Sequence, residues 1–182
     1  MNAPGQKSRN ERQEIRNDQE QRYREAAEQY GAMWSRLARG YEFDAEKRRD
    51  LEQEIHIAVW RSMAVYDARC SLRTWVYRVA HNAAVSYAMR HKRNSGTVSL
   101  EEMDPADGAE GQASADRRIA MDRLMTLIRQ LKPLDRQTVL LYLEGMEAAE
   151  IGEITGDSPG HVAVRIHRLK QILTRQFAQG GR

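Results

Sequence analysis

Three sets of side chains have types and spacings that can do chemistry. On the stretch that follows Ser158-Pro159, the residues His161, Val164, Arg165 and Arg168 recur every three or four positions, and Ala163, His167 and Lys170 form the adjacent stripe. A helix with these stripes can enter a major groove, show its first turns to base edges and hold phosphates with its cations. Its free N-terminal amides add a place for a phosphate. The second set is basic and aromatic: Arg69, Arg73, Arg78, Arg90, Lys92 and Arg93 are interleaved with Tyr66, Trp75, Tyr77 and Tyr87. Rings that stack on bases, among cations that take phosphates, suit single-stranded DNA. The third is polar and acidic: Asp50, Gln53 and Glu54 share a helix face ahead of Trp60, a patch that suits a basic protein partner. Each set has a plainer reading, in which the basic and acidic faces are only solvated and Trp75 and Tyr87 only fill a core.

Catalytic chemistry has little to stand on. The chain has no Gly-rich phosphate loop, no metal-spaced His/Cys cluster, and no nucleophile paired with one of its 5 scattered histidines. His161 and His167 are six apart and cannot share a metal on one helix face. A single cysteine, Cys70, makes neither an internal disulfide nor a thiolate metal site. No catalytic residue, metal or cofactor is expected.

The elements that must position these residues read as helices throughout. Apolar residues recur at helical intervals over Tyr23–Arg39 (Tyr23, Ala26, Ala27, Tyr30, Met33, Trp34, Leu37), with Gly40 as a stop. A second pattern runs from Asp44, a candidate N-cap, to Tyr66 through Leu51, Ile55, Ala58, Val59, Met63 and Val65. A third covers Leu72–Lys92 through Val76, Val79, Ala80, Ala83, Ala84 and Tyr87. Next come a helix through Ile119, Leu124, Leu127, Ile128 and Leu131, closed by Pro133, and another over Leu134–Leu143, closed by Gly145. A short helix over Glu147–Thr155 is expected to turn Ala149 and Ile154 inward. After the turn Gly156-Asp157, Ser158 caps and Pro159 opens a last helix to Phe177, which buries Val162, Ile166, Leu169, Leu173 and Phe177. The pair around that turn reads as a helix-turn-helix.

With 182 residues the chain suits one or two small domains. Its net charge of +3 hides a strong order of signs. Residues 67–93 sum to +5, residues 94–116 to -6, residues 117–132 to +4, residues 133–160 to -5 and residues 161–182 to +5. Segment 94–116 lacks aromatics, is rich in Gly, Ala, Ser and acid, and reads as a flexible linker. The expected organisation is all-α: a flexible arm over 1–22, a helical domain over 23–93, the acidic linker over 94–116, and a helix-turn-helix domain over 117–178. No run approaches the roughly 20 apolar residues of a membrane span, and the polar first residues lack a secretory pattern. A cytoplasmic protein without membrane insertion is expected.

Three stretches carry a family resemblance. DLEQEIHIAVWRS resembles the helix by which small sigma-70 factors of the extracytoplasmic-function (ECF, group IV) type bind RNA polymerase core. SLRTWVYRVAHNAAVSYAMRHKR resembles their promoter-melting helix, and LKPLDRQTVLLYLEGMEAAEIGEITGDSPGHVAVRIHRLKQIL their C-terminal helix-turn-helix. The resemblance implies region 2 over 23–93 and region 4 over 117–178. It implies that Asp50, Gln53, Glu54, Ile57 and Trp60 dock on polymerase core, through its beta and beta-prime subunits. It assigns Asp67, Arg69, Ser71, Arg73, Trp75, Arg78, Asn82, Ser86 and Arg90 to the −10 element, and Ser158, His161, Val164, Arg165, His167, Arg168 and Lys170 to the −35 element. The acidic linker would thread a channel that otherwise takes nucleic acid. An anti-sigma protein is implied as a further partner. The chain departs from the family at Ser86, where Asp is common, and at Lys47, Arg48 and Arg49, where an acidic pair is common.

The function expected is therefore that of a sigma factor, not an enzyme, which brings RNA polymerase to promoters and assists −10 opening. A conventional helix-turn-helix regulator, binding duplex DNA without polymerase, is the alternative. A helical adaptor would leave the basic C-terminal face without a use.

Overall fold

A computed structural model describes residues 4–94 and 112–179, with side chains over 13–91 and 116–179. The described residues form seven helices and no strand: α1 (Pro4–Tyr41), α2 (Ala45–Met63), α3 (Leu72–Asn94), α4 (Gln112–Gln130), α5 (Pro133–Leu143), α6 (Ala148–Thr155) and α7 (Pro159–Gln179). Residues 95–111, most of the expected linker, lie outside the described residues; its last part, from Gln112, is already helix α4.

Helices α1, α2 and α3 pack on one another around Ala26, Met33, Trp34, Leu37, Leu51, Ile55, Val59, Met63, Val76, Ala80, Ala84 and Tyr87, all buried. These are the apolar stripes expected, apart from Val65, which lies beyond α2 and is exposed. Asp44 caps α2 as its position suggests, its Oδ1 accepting from the backbone of Glu46 and Lys47 at 2.9 Å each. Those two bonds, that to Lys47 first, hold the Asp44 carboxyl below its ordinary range. The second group, α4 to α7, closes around Ile128, Leu141, Ile151, Ile154, Val162 and Leu169.

Four local expectations are corrected. Helix α1 starts at Pro4 rather than Tyr23, so the polar segment expected as an arm is helical; its i,i+4 pairs Asp18–Arg22 (2.7 Å) and Glu20–Arg24 (2.5 Å) support a helix that has little apolar surface to bury. Gly40 does not stop α1, which runs to Tyr41. It is instead a close approach: a Cβ there would lie 2.8 Å from a Leu140 methyl of α5. Pro133 opens α5 at its first position rather than only closing α4, since a first-turn proline loses no helical hydrogen bond. In α6 it is Ile151 and Ile154 that turn inward, while Ala149 is exposed.

The two helix groups pack directly against each other. Arg36 grips Glu144 with two bonds of 2.7 Å, and Tyr77 Oη donates to the same carboxylate at 3.5 Å. Arg129 donates to the Arg39 carbonyl at 3.0 Å, and Arg136 to that of Tyr41 at 3.4 Å while lying 4.9 Å over the Tyr41 ring. These arginines answer the orphan carbonyls at the end of α1. Burial lowers the pKa of both, because a charged guanidinium loses hydration there.

Candidate nucleic-acid and polymerase interfaces

Helix α2 buries Leu51, Ile55, Val59 and Met63 and so turns Asp50, Gln53, Glu54, Ile57 and Trp60 the other way. Ile57 is 49% and Trp60 39% exposed, which leaves two large apolar groups beside a polar-acidic face. Glu54 is not free: Arg90 of α3 forms an ion pair with it. Lys47, Arg48 and Arg49 sit in the first turns of α2; Arg48 reaches the Phe43 carbonyl at 3.4 Å and Arg49 that of Ala45 at 3.3 Å.

Between α2 and α3 lies a tightly built loop, residues 64–71. Asp67 pairs with Arg69 at 2.9 Å and accepts from its backbone N–H at 3.2 Å. Ala68 has φ +60°, a left-handed conformation that a side chain adopts only under strain. Tyr66 Oη donates to the Cys70 carbonyl at 2.9 Å. Ser71 caps α3, accepting from Thr74 N–H at 3.0 Å. Trp75 is half-buried, 5.6 Å from the Tyr66 ring, with Nε1 on Ser62 Oγ at 3.0 Å.

Along α3 the four-residue spacing puts Arg78, Asn82, Ser86 and Arg90 on one stripe. Asn82 and Ser86 are exposed. Tyr87, by contrast, is core, with a phenol pushed up to about 12 chiefly by desolvation. His81 is also buried; burial pushes its pKa down to about 3, so the ring is neutral and stacks 6.2 Å from Tyr77. Nearer the start of α3, Arg73 bonds Glu150 of α6 at 3.2 Å, and Arg78 donates to the Glu153 carbonyl at 2.8 Å. Lys92 and Arg93 lie in the last turn of α3, beyond the described side chains.

The helix-turn-helix is built from α6 and α7. Glu150 Oε2 accepts from the Glu147 N–H at 3.0 Å, which fastens the start of α6. Gly156 ends it at φ +81°, a conformation open to glycine. Gly152 is needed for another reason: a Cβ there would lie 2.6 Å from the Asp157 carbonyl, so the turn closes directly on the α6 backbone. Ser158 Oγ accepts from His161 N–H at 3.3 Å, so this hydroxyl is spent on capping.

On α7, His161, Val164, His167, Arg168 and Lys170 are exposed, Val164 at 71%. The expected cations have internal partners. Arg165 pairs with Asp157 and, at 3.7 Å, with Asp135; Arg168 bonds Asp135 at 3.1 Å. Lys170 lies 5.4 Å over the Tyr142 ring, and His167 meets Gln171 at 2.9 Å. Sequence reasoning missed these carboxylates, together with Glu144 and Glu150. The pairs Arg36–Glu144 and Arg73–Glu150 span 108 and 77 residues, and local spacing carries no signal at that range. Among the described residues, no group of His, Cys, Asp and Glu could hold a metal, and no helix is long and apolar enough to cross a membrane.

Comparison with known proteins follows this division. Residues 26–94 match the family Sigma-70 region 2, and residues 121–173 match Sigma-70, region 4. The RNA polymerase sigma factor CarQ of Myxococcus xanthus is 33% identical over 122 residues, covering 65% of this chain and 68% of that protein. The ECF RNA polymerase sigma factor SigW of Bacillus subtilis is 27% identical over 139 residues, covering 70% and 74%. The solved structure of CnrH in complex with the cytosolic domain of CnrY shares the fold, with a TM-score of 0.64 at 16% identity over 90% of this chain and 97% of that one.

Proposed function

The chain belongs to the sigma-70 family, as a sigma factor of the ECF type that brings RNA polymerase to promoter DNA, and on that premise we propose how its residues divide the work. The α2 face of Asp50, Gln53, Glu54, Ile57 and Trp60 docks on polymerase core, at its beta-prime and beta subunits. Loop 64–71 and the α3 stripe of Arg78, Asn82, Ser86 and Arg90 take the −10 element, with Arg69, Arg73 and Trp75 at the loop's edge. Unstacking costs a few kcal/mol per flipped base, and contacts to core and duplex offset it. Helix α7 takes the −35 duplex, with His161 and Val164 toward base edges and Arg165, Arg168, His167 and Lys170 toward phosphates.

The observation that carries this reading over a conventional regulator is the α2 face. A protein that only binds duplex DNA has no use for Ile57 and Trp60 exposed beside acids, whereas a docking surface needs apolar anchors within a polar rim. The chain acts in the cytoplasm as a binding factor and catalyses nothing itself. A CnrY-like covering protein, an anti-sigma factor, is a further partner.

The packing of the two helix groups adds a step. Arg73 and Arg78 each give a donor to α6, to Glu150 at 3.2 Å and to the Glu153 carbonyl at 2.8 Å, so the start of the α3 face assigned to −10 DNA lies against the helix-turn-helix group while these contacts last. The groups therefore part on the promoter. Reconstitution with core polymerase and a genomic promoter library, with transcript starts mapped, tests the reading. Initiation at a defined promoter class is expected, and the absence of any polymerase-dependent start refutes it.

A further inference from the structure

The turns of α1 just ahead of the stretch matched to region 2, residues 26–94, are not idle. They reach across to both ends of the segment that leads into loop 64–71. At the end of α2 the Ala64 N–H turns to the Arg61 carbonyl at 3.4 Å, which leaves the Trp60 carbonyl without its usual helical donor. Gln19 Nε2 supplies one at 2.8 Å. One turn on, Arg22 Nη1 donates to the Tyr66 carbonyl at 3.2 Å, while its Nη2 is held by Asp18 at 2.7 Å.

Tyr66 is the residue on which the loop hangs. Its hydroxyl fixes Cys70, its ring lies against Trp75, and two residues on Ala68 is held at positive φ. A strained loop of this kind keeps its shape only when its surroundings over-determine it. Within the loop, the Tyr66 side chain and the Asp67 turn do part of that work. The Tyr66 backbone is fixed from outside, by Arg22.

We propose that Arg22, oriented by Asp18 and assisted by Gln19, is a positioning residue for −10 recognition: the polar helix ahead of region 2 sets the shape of the loop that receives unstacked bases. The inference rests on the assignment of loop 64–71 to the −10 element. Arg22 itself touches no DNA in this scheme. It acts through the Tyr66 carbonyl, so its loss changes which bases are preferred more than whether the holoenzyme forms.

The test uses the full chain reconstituted with core polymerase, on a promoter taken from the transcript-start map. The −10 bases are randomised and the −35 element is fixed. Base preference is read as transcript yield for the best over the worst base. Arg22→Ala is expected to flatten the −10 preference by about tenfold, the worth of roughly one mismatched base pair. Core affinity and −35 preference, measured on a second library, stay within about twofold of wild type. Arg22→Lys keeps a donor for Tyr66 and restores most of the preference. Asp18→Ala leaves Arg22 present but unoriented and gives an intermediate loss, which keeps the test open if Arg22→Ala folds poorly. A −10 preference unchanged in both Arg22→Ala and Asp18→Ala overturns the proposal. So does an equal loss of −10 preference, −35 preference and core affinity, which is the pattern of general destabilisation. A wild-type holoenzyme that initiates with no −10 preference removes the assignment of the loop itself.

Discussion

The contact between Gly40 and Leu140 offers a wedge that parts the two helix groups without touching any surface assigned to DNA or polymerase. A Cβ at position 40 falls 2.8 Å and 2.9 Å from the two Leu140 methyls, and both residues are buried. Gly40→Val adds three carbons there. Overpacking of this kind costs about 1–3 kcal/mol. The same change favours α1 itself, since Val is better than Gly in a helix by a few tenths of a kcal/mol. The strain therefore falls on the docking of the groups rather than on their folds.

The polar contacts that oppose opening are modest. Arg36–Glu144 and Arg73–Glu150 leave at least one partner more than a third exposed, so screening holds each to about 0.2–1 kcal/mol. Whatever the apolar packing and the Arg129 and Arg136 contacts add to docking, a strain of about 1–3 kcal/mol moves the open-to-closed ratio about 5- to 150-fold. Energy transfer between dyes on Ala32→Cys and Gln176→Cys, both exposed sites, in a Cys70→Ser background reads the ratio. Gly40→Val should lower transfer with helix content unchanged, and Glu144→Gln should do so more weakly. If opening limits assembly, apparent affinity for core rises by up to the same factor. Unchanged transfer in a folded Gly40→Val would refute the argument from packing. Lower transfer with unchanged core affinity would refute only the link to assembly.

Three further outcomes are expected. Asn82→Ala and Trp75→Ala should lose open complex, read by permanganate reactivity of −10 thymines, by about 1–3 kcal/mol each, while −35 duplex binding is retained. Asp135→Asn frees Arg168, while Arg165 stays on Asp157, and should tighten holoenzyme binding to the −35 duplex; Arg168→Ala should weaken it and reduce the salt slope by about one, as titration at several salt concentrations will show. The pH dependence of unfolding should carry the mark of His81. Its folded pKa lies below the ordinary 6.5, so the unfolded chain binds more protons as pH falls. Its contribution to stability is complete above pH 6.5 and is lost as pH falls toward the folded value of about 3, at up to about 1.4 kcal/mol per pH unit. Denaturant melts of wild type and His81→Gln across that range should differ in slope.

The helices were legible in the sequence because their stripes repeat at 3.6 residues and their caps are local. Asp44 and Ser158 could be placed from residue type alone, and the helix-turn-helix from Gly156, Ser158 and Pro159 in a row. What failed to show was long-range or non-periodic. Residues 13–22 bury almost nothing, so no apolar stripe marked them as helix; their fastening depends on the backbone carbonyls of Trp60 and Tyr66, 41 and 44 residues away. Gly40 reads as a helix stop in sequence because nothing local says that Leu140 will press against it. Arg165 and Arg168 were legible as a basic stripe, but their partner Asp135 sits on another helix.

Those partners give the alternation of charge along the chain a structural sense. The segment 133–160, at -5, holds Asp135, Glu144, Glu150 and Asp157, and these four carboxylates meet Arg168, Arg36, Arg73 and Arg165. Three of those arginines are among the side chains assigned to DNA. Each arrives at the promoter already paired, so binding a phosphate exchanges one anion for another. The gain per contact is then the difference between two charge-assisted bonds, smaller than the gain of an unpaired cation. Asp135 and Asp157 thus lower the duplex affinity of α7, whereas Glu144 and Glu150 hold the two helix groups together, and core polymerase with two promoter elements must supply enough contacts at once to displace both sets.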